Sequence, residues 1–281
     1  MGMQKREPDT HKGSYGHLFI IGGSPGLTGA VCLAAISALR SGCGIVTVAL
    51  PDSLNYVAEV KLTEAMSLAL PQTGRATFSR DAVEPALRFI EERADGVLIG
   101  NGISTDRETA VFTREIILRA EKPLVIDADA ITAIAGDRDI LKLLKAPAVI
   151  TPHPGEMSRL AGLNVEEIQR DRSSQARRFA SEYGLTVVLK GHHTVISDGK
   201  QVHTNLSGNP GMATAGTGDV LAGVIGSFMV KERSDLFSSA VFGVHIHGLA
   251  GDLAARVLGQ ESLIASDIID FLPDAFRCGE L

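Results

Sequence analysis

Short apolar runs, each stopped near a glycine, proline or polar residue, recur between amphipathic segments along this chain, and that alternation leaves few architectures open. The runs are His17 to Ile21, Ile45 to Leu50, Gly96 to Ile99, Leu124 to Asp127, Ala148 to Thr151 and Thr186 to Leu189. Between them, Gly29 to Arg40, Asp81 to Arg93, Glu108 to Arg119 and Val165 to Tyr183 carry apolar residues three and four apart, the spacing of a helix with one buried face. Strands alternating with such helices predict a parallel sheet with crossover helices, a three-layer α/β/α sandwich. Thr194 to Ser197 and Gln201 to Thr204 flank Asp198-Gly199, a hairpin signal that adds antiparallel strands. From Gly218 onward the sequence turns helical, with Gly218 to Lys231, Leu236 to Leu258 and a last helix Ser266 to Phe276 capped by Ser266.

At 281 residues, 44% of them hydrophobic and 21% charged, the chain can enclose one large core, so a single domain over 1–281 is expected. The net charge of -6, with no Lys/Arg-rich stripe, argues against a nucleic-acid grip; any phosphate must be held locally. Cys32, Cys43 and Cys278 lack the spacing of a zinc site or disulfide framework, which fits a reducing compartment. The opening MGMQKREPDTHKGSYG is polar where a signal peptide is apolar, and no run approaches the ~18 apolar residues of a membrane span. A cytoplasmic location is expected.

The segment Asn205 to Gly223, NLSGNPGMATAGTGDVLAG, carries the most chemistry. Backbone amides of Ala215, Gly216, Thr217 and Gly218 would converge at the positive end of a helix beginning close to Asp219, an anion hole suited to a transferring phosphoryl group. A carboxylate at Asp219 could then accept the proton of an attacking hydroxyl. A bare GxGD string is more often only a helix start; here the length of the uninterrupted glycine-rich string favours the functional reading. In VVLKGHHT, Lys190 could neutralise phosphate while Gly191 admits a nucleotide close to the backbone, although a strand-end lysine is commonly just solvated.

VITPHPGE brackets His153 with prolines at a strand's carboxyl end, where open α/β sheets bind ligands. Glu156 reads equally as a helix-start charge or as a group orienting the water shell of a nucleotide-bound Mg²⁺. FIIGGSPGLTGA matches a dinucleotide fingerprint poorly, so a Rossmann dehydrogenase is disfavoured, and its loop better serves to bring amides and the small Ala30 against a bulky substrate. Gly100-Asn101-Gly102 reads evenly as a ligand-facing backbone or a tight turn. Asp127 and Asp129 could hold metal water or cap the next helix, capping being favoured for Asp129. His245 and His247, at i, i+2 in an apolar helix, read as core or interface residues rather than metal ligands.

In this order, GGSPGLTGA, IGNGI, VIDADAI, TPHPGE, LKGHHT and NPGMATAGTGDVLAG resemble the NAD(P)H-hydrate dehydratases of the ribokinase-like superfamily, from about His11 to Gly259. The resemblance implies that Ala30, Gly102 and His153 contact hydrated NADH or NADPH (NADHX, NADPHX). It further implies that Lys190, Gly191, His192, His193, Thr194 and Gly218 surround an adenine nucleotide, and that Asp219 is catalytic. The chemistry it implies is phosphorylation of the ring hydroxyl followed by loss of phosphate, with Mg²⁺ and ADP or ATP. ADP is the expected donor, because the architecture looks bacterial. A separate epimerase in the same pathway and a homotetramer are expected on the same ground.

Asn101 stands where relatives usually have proline, and Ala215 where they often have glycine, which matters if that position needs positive φ. Two alternatives fit the same motifs: a kinase for a vitamin-precursor alcohol such as a hydroxymethylpyrimidine or thiazole, and a catalytically silent nucleotide-binding module.

Overall fold

The computed structural model describes residues 8–232 and 235–279; the first seven residues of the polar opening lie outside them. Nine strands form one sheet in the order β3-β2-β1-β4-β5-β6-β7-β8-β9. They are β1 (His17–Ile21), β2 (Ile45–Pro51), β3 (Met66–Leu70), β4 (Gly96–Ile99), β5 (Leu124–Ile126), β6 (Ala148–Ile150), β7 (Thr186–Leu189), β8 (Val195–Ser197) and β9 (Val202–Thr204). Neighbours from β3 to β7 run parallel, and β8 and β9 close one edge antiparallel, as the Asp198-Gly199 hairpin signal predicts.

Eleven α-helices lie among the described residues: α1 (Thr28–Arg40), α2 (Asn55–Lys61), α3 (Val83–Arg93), α4 (Arg107–Arg119), α5 (Asp129–Ala135), α6 (Pro154–Ala161), α7 (Val165–Arg170), α8 (Arg172–Tyr183), α9 (Thr217–Glu232), α10 (Leu236–Leu258) and α11 (Ala265–Gly279). Helices α3 to α8 cover one face, on Phe19, Ile21, Ile99 and Ile126. Helices α1, α2, α9 and α10 cover the other, on Leu18, Ile20, Leu98 and Val125, and α11 packs outside α9 and α10. Successive strand residues point to opposite faces, and both faces are covered, which is why β1 reads as an unbroken apolar run.

The sandwich agrees with the expected architecture; the differences are local. Edge strand β3 was not expected, because its side chains are mostly half-exposed and the segment lacks a buried run; pairing with β2 alone makes it a strand. The single helix expected over Val165 to Tyr183 is two, broken at Asp171, whose φ of -148° leaves the helical region and whose carboxylate accepts from the Ser174 amide at 3.0 Å. Capping outcompetes helix continuation there. Helix α11 begins at Ala265, and Asp267 rather than Ser266 bonds back to its start, accepting from the Ile264 amide at 2.8 Å.

Parallel register aligns the strand ends. Ile21 pairs with Ile99, Ile99 with Ile126, Ile126 with Ile150 and Ile150 with Val187, so Gly22, Gly100, Asp127, Thr151 and Lys190 all emerge along one rim. The start of α9 reaches this rim because α9 lies close against α1: a Cβ on Gly223 would collide with the α1 backbone at Ala34. No helix among the described residues is long and apolar enough to cross a membrane.

Candidate active site

Gly216 adopts φ of +89° and turns the chain into α9. The Val220 amide is the first to bond back, to the Gly216 carbonyl at 3.0 Å, so helical geometry leaves the amides of Thr217, Gly218 and Asp219 without intrahelical acceptors. The helix starts at Thr217 with Asp219 in its first turn, so these amides stand at its positive end. Ala215 is not among the residues with positive φ, so that position does not need glycine. The requirement falls on Gly216 instead. A Cβ there would also press on Leu33 at 2.6 Å and Ala265 at 3.0 Å, so Gly216→Ala is expected to cost about 1–2 kcal/mol in chemical denaturation and to lower turnover.

Asp219 is tied to the rim of the sheet. Asn101, fully buried between two glycines of positive φ, donates from Nδ2 to Asp219 Oδ1 at 2.7 Å and to Asp127 Oδ2 at 3.0 Å. Asp127 also accepts from Thr151 Oγ1 at 2.6 Å and Lys190 Nζ at 2.8 Å. Burial pushes the Asp219 carboxyl up to about 6, a rise that Asn101 and Lys190 oppose and Asp127 and Asp129 reinforce. Burial also pulls on the Lys190 ammonium, yet Asp127, Glu156 and Asp219 outweigh it and hold that pKa above the ordinary lysine value. A Cβ on Gly218 would lie 3.6 Å from Lys190 Nζ, which places the positive charge against the first turn of α9.

The Lys190–Thr194 turn is held from below by Arg172, whose guanidinium donates to the carbonyls of Leu189 (2.6 Å) and His192. Gly191 (φ +142°) sits directly over that guanidinium, and His193 takes φ of +54°. Together with His153, Thr217, Gly218 and the loop from Asn205 to Thr214, this turn lines a cavity of about 670 Å³. His247 lines its floor, donating from Nε2 to the Thr217 carbonyl at 3.1 Å; burial pushes its pKa down to about 4. His245 is exposed on the opposite side of α10, so the two histidines do part, but His247 belongs to the cavity as well as to the core.

His153 caps α6: its Nδ1 accepts from the Gly155 amide at 3.0 Å and the Glu156 amide at 3.3 Å, while the His153 amide donates to Glu156 Oε2 at 2.7 Å. Burial, then the nearby Lys190, lowers the His153 pKa, and Nδ1, as the acceptor of two amides, carries no proton. Glu156 thus spends one oxygen on a capping box; its Oε1 stays 3.5 Å from His153 Nε2. Burial raises the Glu156 pKa, against the pull of Lys190.

Ala30 and Gly102 come together beside this site, since a Cβ on Gly102 would meet Ala30 Cβ at 3.2 Å. They do not line the 670 Å³ cavity, and neither does Asp219; Asn101, the neighbour of Gly102, reaches Asp219 at the start of α9. The Gly100-Asn101-Gly102 segment is the tight turn, its carbonyls taken by the Gly23 amide (2.9 Å) and Ser24 Oγ (2.8 Å). Asp129 does not cap α5: it occupies the first helical position and accepts from the Ser104 amide at 3.0 Å. Asp127 is likewise taken by three protein donors. No group of three or more His, Cys, Asp or Glu that could hold a metal is found among the described residues.

Three residues that hold the site together have roles that their local sequence does not show. Gly100-Asn101-Gly102 reads evenly as ligand-facing backbone or a turn, Asp127 as a holder of metal water or a cap, and Arg172 carries no motif, whereas the fold joins Asn101 and Asp127 to Asp219 and sets Arg172 under the Lys190 turn.

A mostly parallel sheet with a glycine-rich helix start, lysine and aspartate gathered at its carboxyl rim defines a ribokinase-like α/β protein. The ribokinase of Thermotoga maritima shares the fold at TM-score 0.56 and 17% identity, covering 92% of this chain and 99% of that one. More narrowly, the chain belongs to the NAD(P)H-hydrate dehydratase family, whose model matches residues 18–274. It is 45% identical over 277 residues to the bifunctional NAD(P)H-hydrate repair enzyme Nnr of Moorella thermoacetica, a match covering 98% of this chain and 52% of that protein. The chain therefore spans about half the length of the bifunctional relatives. It is 36% identical to the ADP-dependent (S)-NAD(P)H-hydrate dehydratase of Neisseria meningitidis, covering 94% of this chain and 86% of that protein. The ADP/ATP-dependent NAD(P)H-hydrate dehydratase of Bacillus subtilis, co-crystallised with ATP and Mg²⁺, superposes with a TM-score of 0.84 at 28% identity, covering 99% and 95% of the two chains.

Proposed function

We propose that this chain dehydrates (S)-NADHX and (S)-NADPHX to NADH and NADPH at the expense of an adenine nucleotide. The observation that carries the reading is Asp219, a carboxylate raised to about 6 and aimed from the first turn of a helix whose free amides suit a phosphoryl group. In this reading Asp219 takes the proton of the ring hydroxyl as its oxygen bonds to the terminal phosphorus of the donor. The bond from phosphorus to the donor's bridging oxygen breaks, and amides at Ala215 to Gly218 stabilise the charge on the transferring group. The phosphate ester then leaves with its bonding electrons, pushed by the ring nitrogen, and loss of a proton from the adjacent carbon restores the double bond.

Nucleotide would occupy the cavity lined by Lys190, Gly191, His192, His193, Thr194 and Gly218, and the hydrated dinucleotide would lie against Ala30, Gly102 and His153. Mg²⁺ would supply positive charge to offset the nucleotide's phosphates, since such ions need only one or two protein carboxylates and keep several waters. Glu156, with one oxygen outside its capping bond to the His153 amide, is the residue available to that water shell. ADP, leaving AMP, is the donor favoured, with support from the name of the Neisseria relative. A cytoplasmic homotetramer working alongside an epimerase completes the reading, the last point supported by the bifunctional names.

The test is incubation with hydrated NADH, Mg²⁺ and either ADP or ATP. Recovery of reduced-nicotinamide absorbance is expected; no recovery with either donor, together with phosphorylation of a hydroxymethylpyrimidine or thiazole alcohol, would replace this reading with a vitamin kinase. Because the base must be ionised and Asp219 titrates near 6, kcat/KM should fall about tenfold per unit as pH drops below that value and level off above it. A flat profile between pH 5 and 7, read as roughly one pKa unit either side, would remove Asp219 from the base role.

A further inference from the structure

The Asn101 side chain has an environment that a turn residue does not need. It is wholly buried, and its single Nδ2 faces carboxylate oxygens of both Asp219 and Asp127, while its Oδ1 has no partner. That orientation is fixed by chemistry, since the flipped amide would aim a carbonyl oxygen at two carboxylates. The main chain around it is rigid: Gly100 at φ +126° and Gly102 at φ +61° flank it, and its carbonyl accepts from the Gly23 amide. Two acidic groups from different elements, Asp127 after β5 and Asp219 on α9, are thereby bridged by one neutral donor, with Lys190 on the other oxygen of Asp127. The groups facing Asp219 are then Asn101, Asp127, Lys190 and, from α5, Asp129.

We propose that Asn101 is a positioning residue for Asp219: the amide shared with Asp127 fixes Asp219 Oδ1 in place and leaves Oδ2 as the oxygen that receives the substrate's proton. Resting on the base role proposed above for Asp219, this adds a device that role does not require. A hydrogen bond to an ionised carboxylate favours the ionised form, so the same contact keeps Asp219 a usable base at lower pH than burial beside Asp127 would otherwise allow.

The experiment follows the Asp219 carboxyl by ¹³C NMR across pH in the wild-type chain, in Asn101→Ala and in Asn101→Ser, with the resonance assigned through Asp219→Asn. Loss of the amide should raise the Asp219 midpoint by about one pH unit, and the serine hydroxyl should recover part of the shift. The acid limb of kcat/KM on hydrated NADH should move by the same amount, while nucleotide affinity stays unchanged. An Asp219 midpoint that is the same in all three proteins overturns the proposal, whatever the activity. Should the alanine protein fail to fold, the comparison of serine variant with wild type decides it alone. Absence of activity in the wild type, with the midpoint still shifting, would refute the dehydratase reading and leave the positioning role of Asn101 standing.

Discussion

Asp219→Asn is expected to lower kcat/KM on hydrated NADH by about 10³-fold while leaving nucleotide affinity, measured by calorimetry, unchanged. The amide is isosteric and can keep its contact with Asn101, so the start of α9, the Gly216 turn and the cavity all persist. What it loses is the capacity to take a proton. A second consequence follows from the raised carboxyl. Asp219 binds its proton more tightly in the folded chain, rising from 3.8 to about 6, so its contribution to stability is full below about pH 4 and is lost as pH climbs through 6. At pH 8 the asparagine variant, free of a desolvated carboxylate, should unfold at a higher denaturant concentration than the wild type. Turnover within about tenfold of wild type would mean that some other group removes the proton.

Lys190→Ala should combine a stability loss of about 3 kcal/mol with weakened nucleotide binding. The Asp127 carboxylate is almost completely buried and pairs with Lys190 at 2.8 Å; removing the ammonium leaves that charge with only the Thr151 hydroxyl and the Asn101 amide. The two effects can be separated. Neutralising both partners in Lys190→Met/Asp127→Asn should restore much of the stability, because no unpaired buried charge remains, whereas nucleotide affinity should stay low because the positive charge beside Gly218 is gone. Equal affinity in wild type and Lys190→Ala would assign the lysine to structure alone.

Much of the architecture was legible before any coordinates. The runs at His17, Gly96 and Thr186 coincide with β1, β4 and β7 to the residue, because strands buried on both faces need continuous apolar sequence and stop at residues that cannot continue it. The glycine turn into a helix beginning close to Asp219 was equally visible, since a positive-φ glycine before an acidic first turn is a local property. Edge strand β3 and the break at Asp171 were not: one depends on a neighbour to pair with, the other on which of two local hydrogen-bonding options the surroundings favour.

Alternating strands and helices, the hairpin at the sheet edge and the residues at each strand end follow from the local sequence. That Asn101, Asp127, Lys190 and Asp219, separated by up to 118 positions, share one hydrogen-bonded chain, and that Arg172 underlies the Lys190 turn, comes from the packed fold. The reason is physical. Propensity, periodicity and turn chemistry act over a few residues and are written locally, whereas the protonation and aim of a carboxylate depend on burial and on charges delivered by other strands, which exist only once parallel register has brought their ends to a common rim.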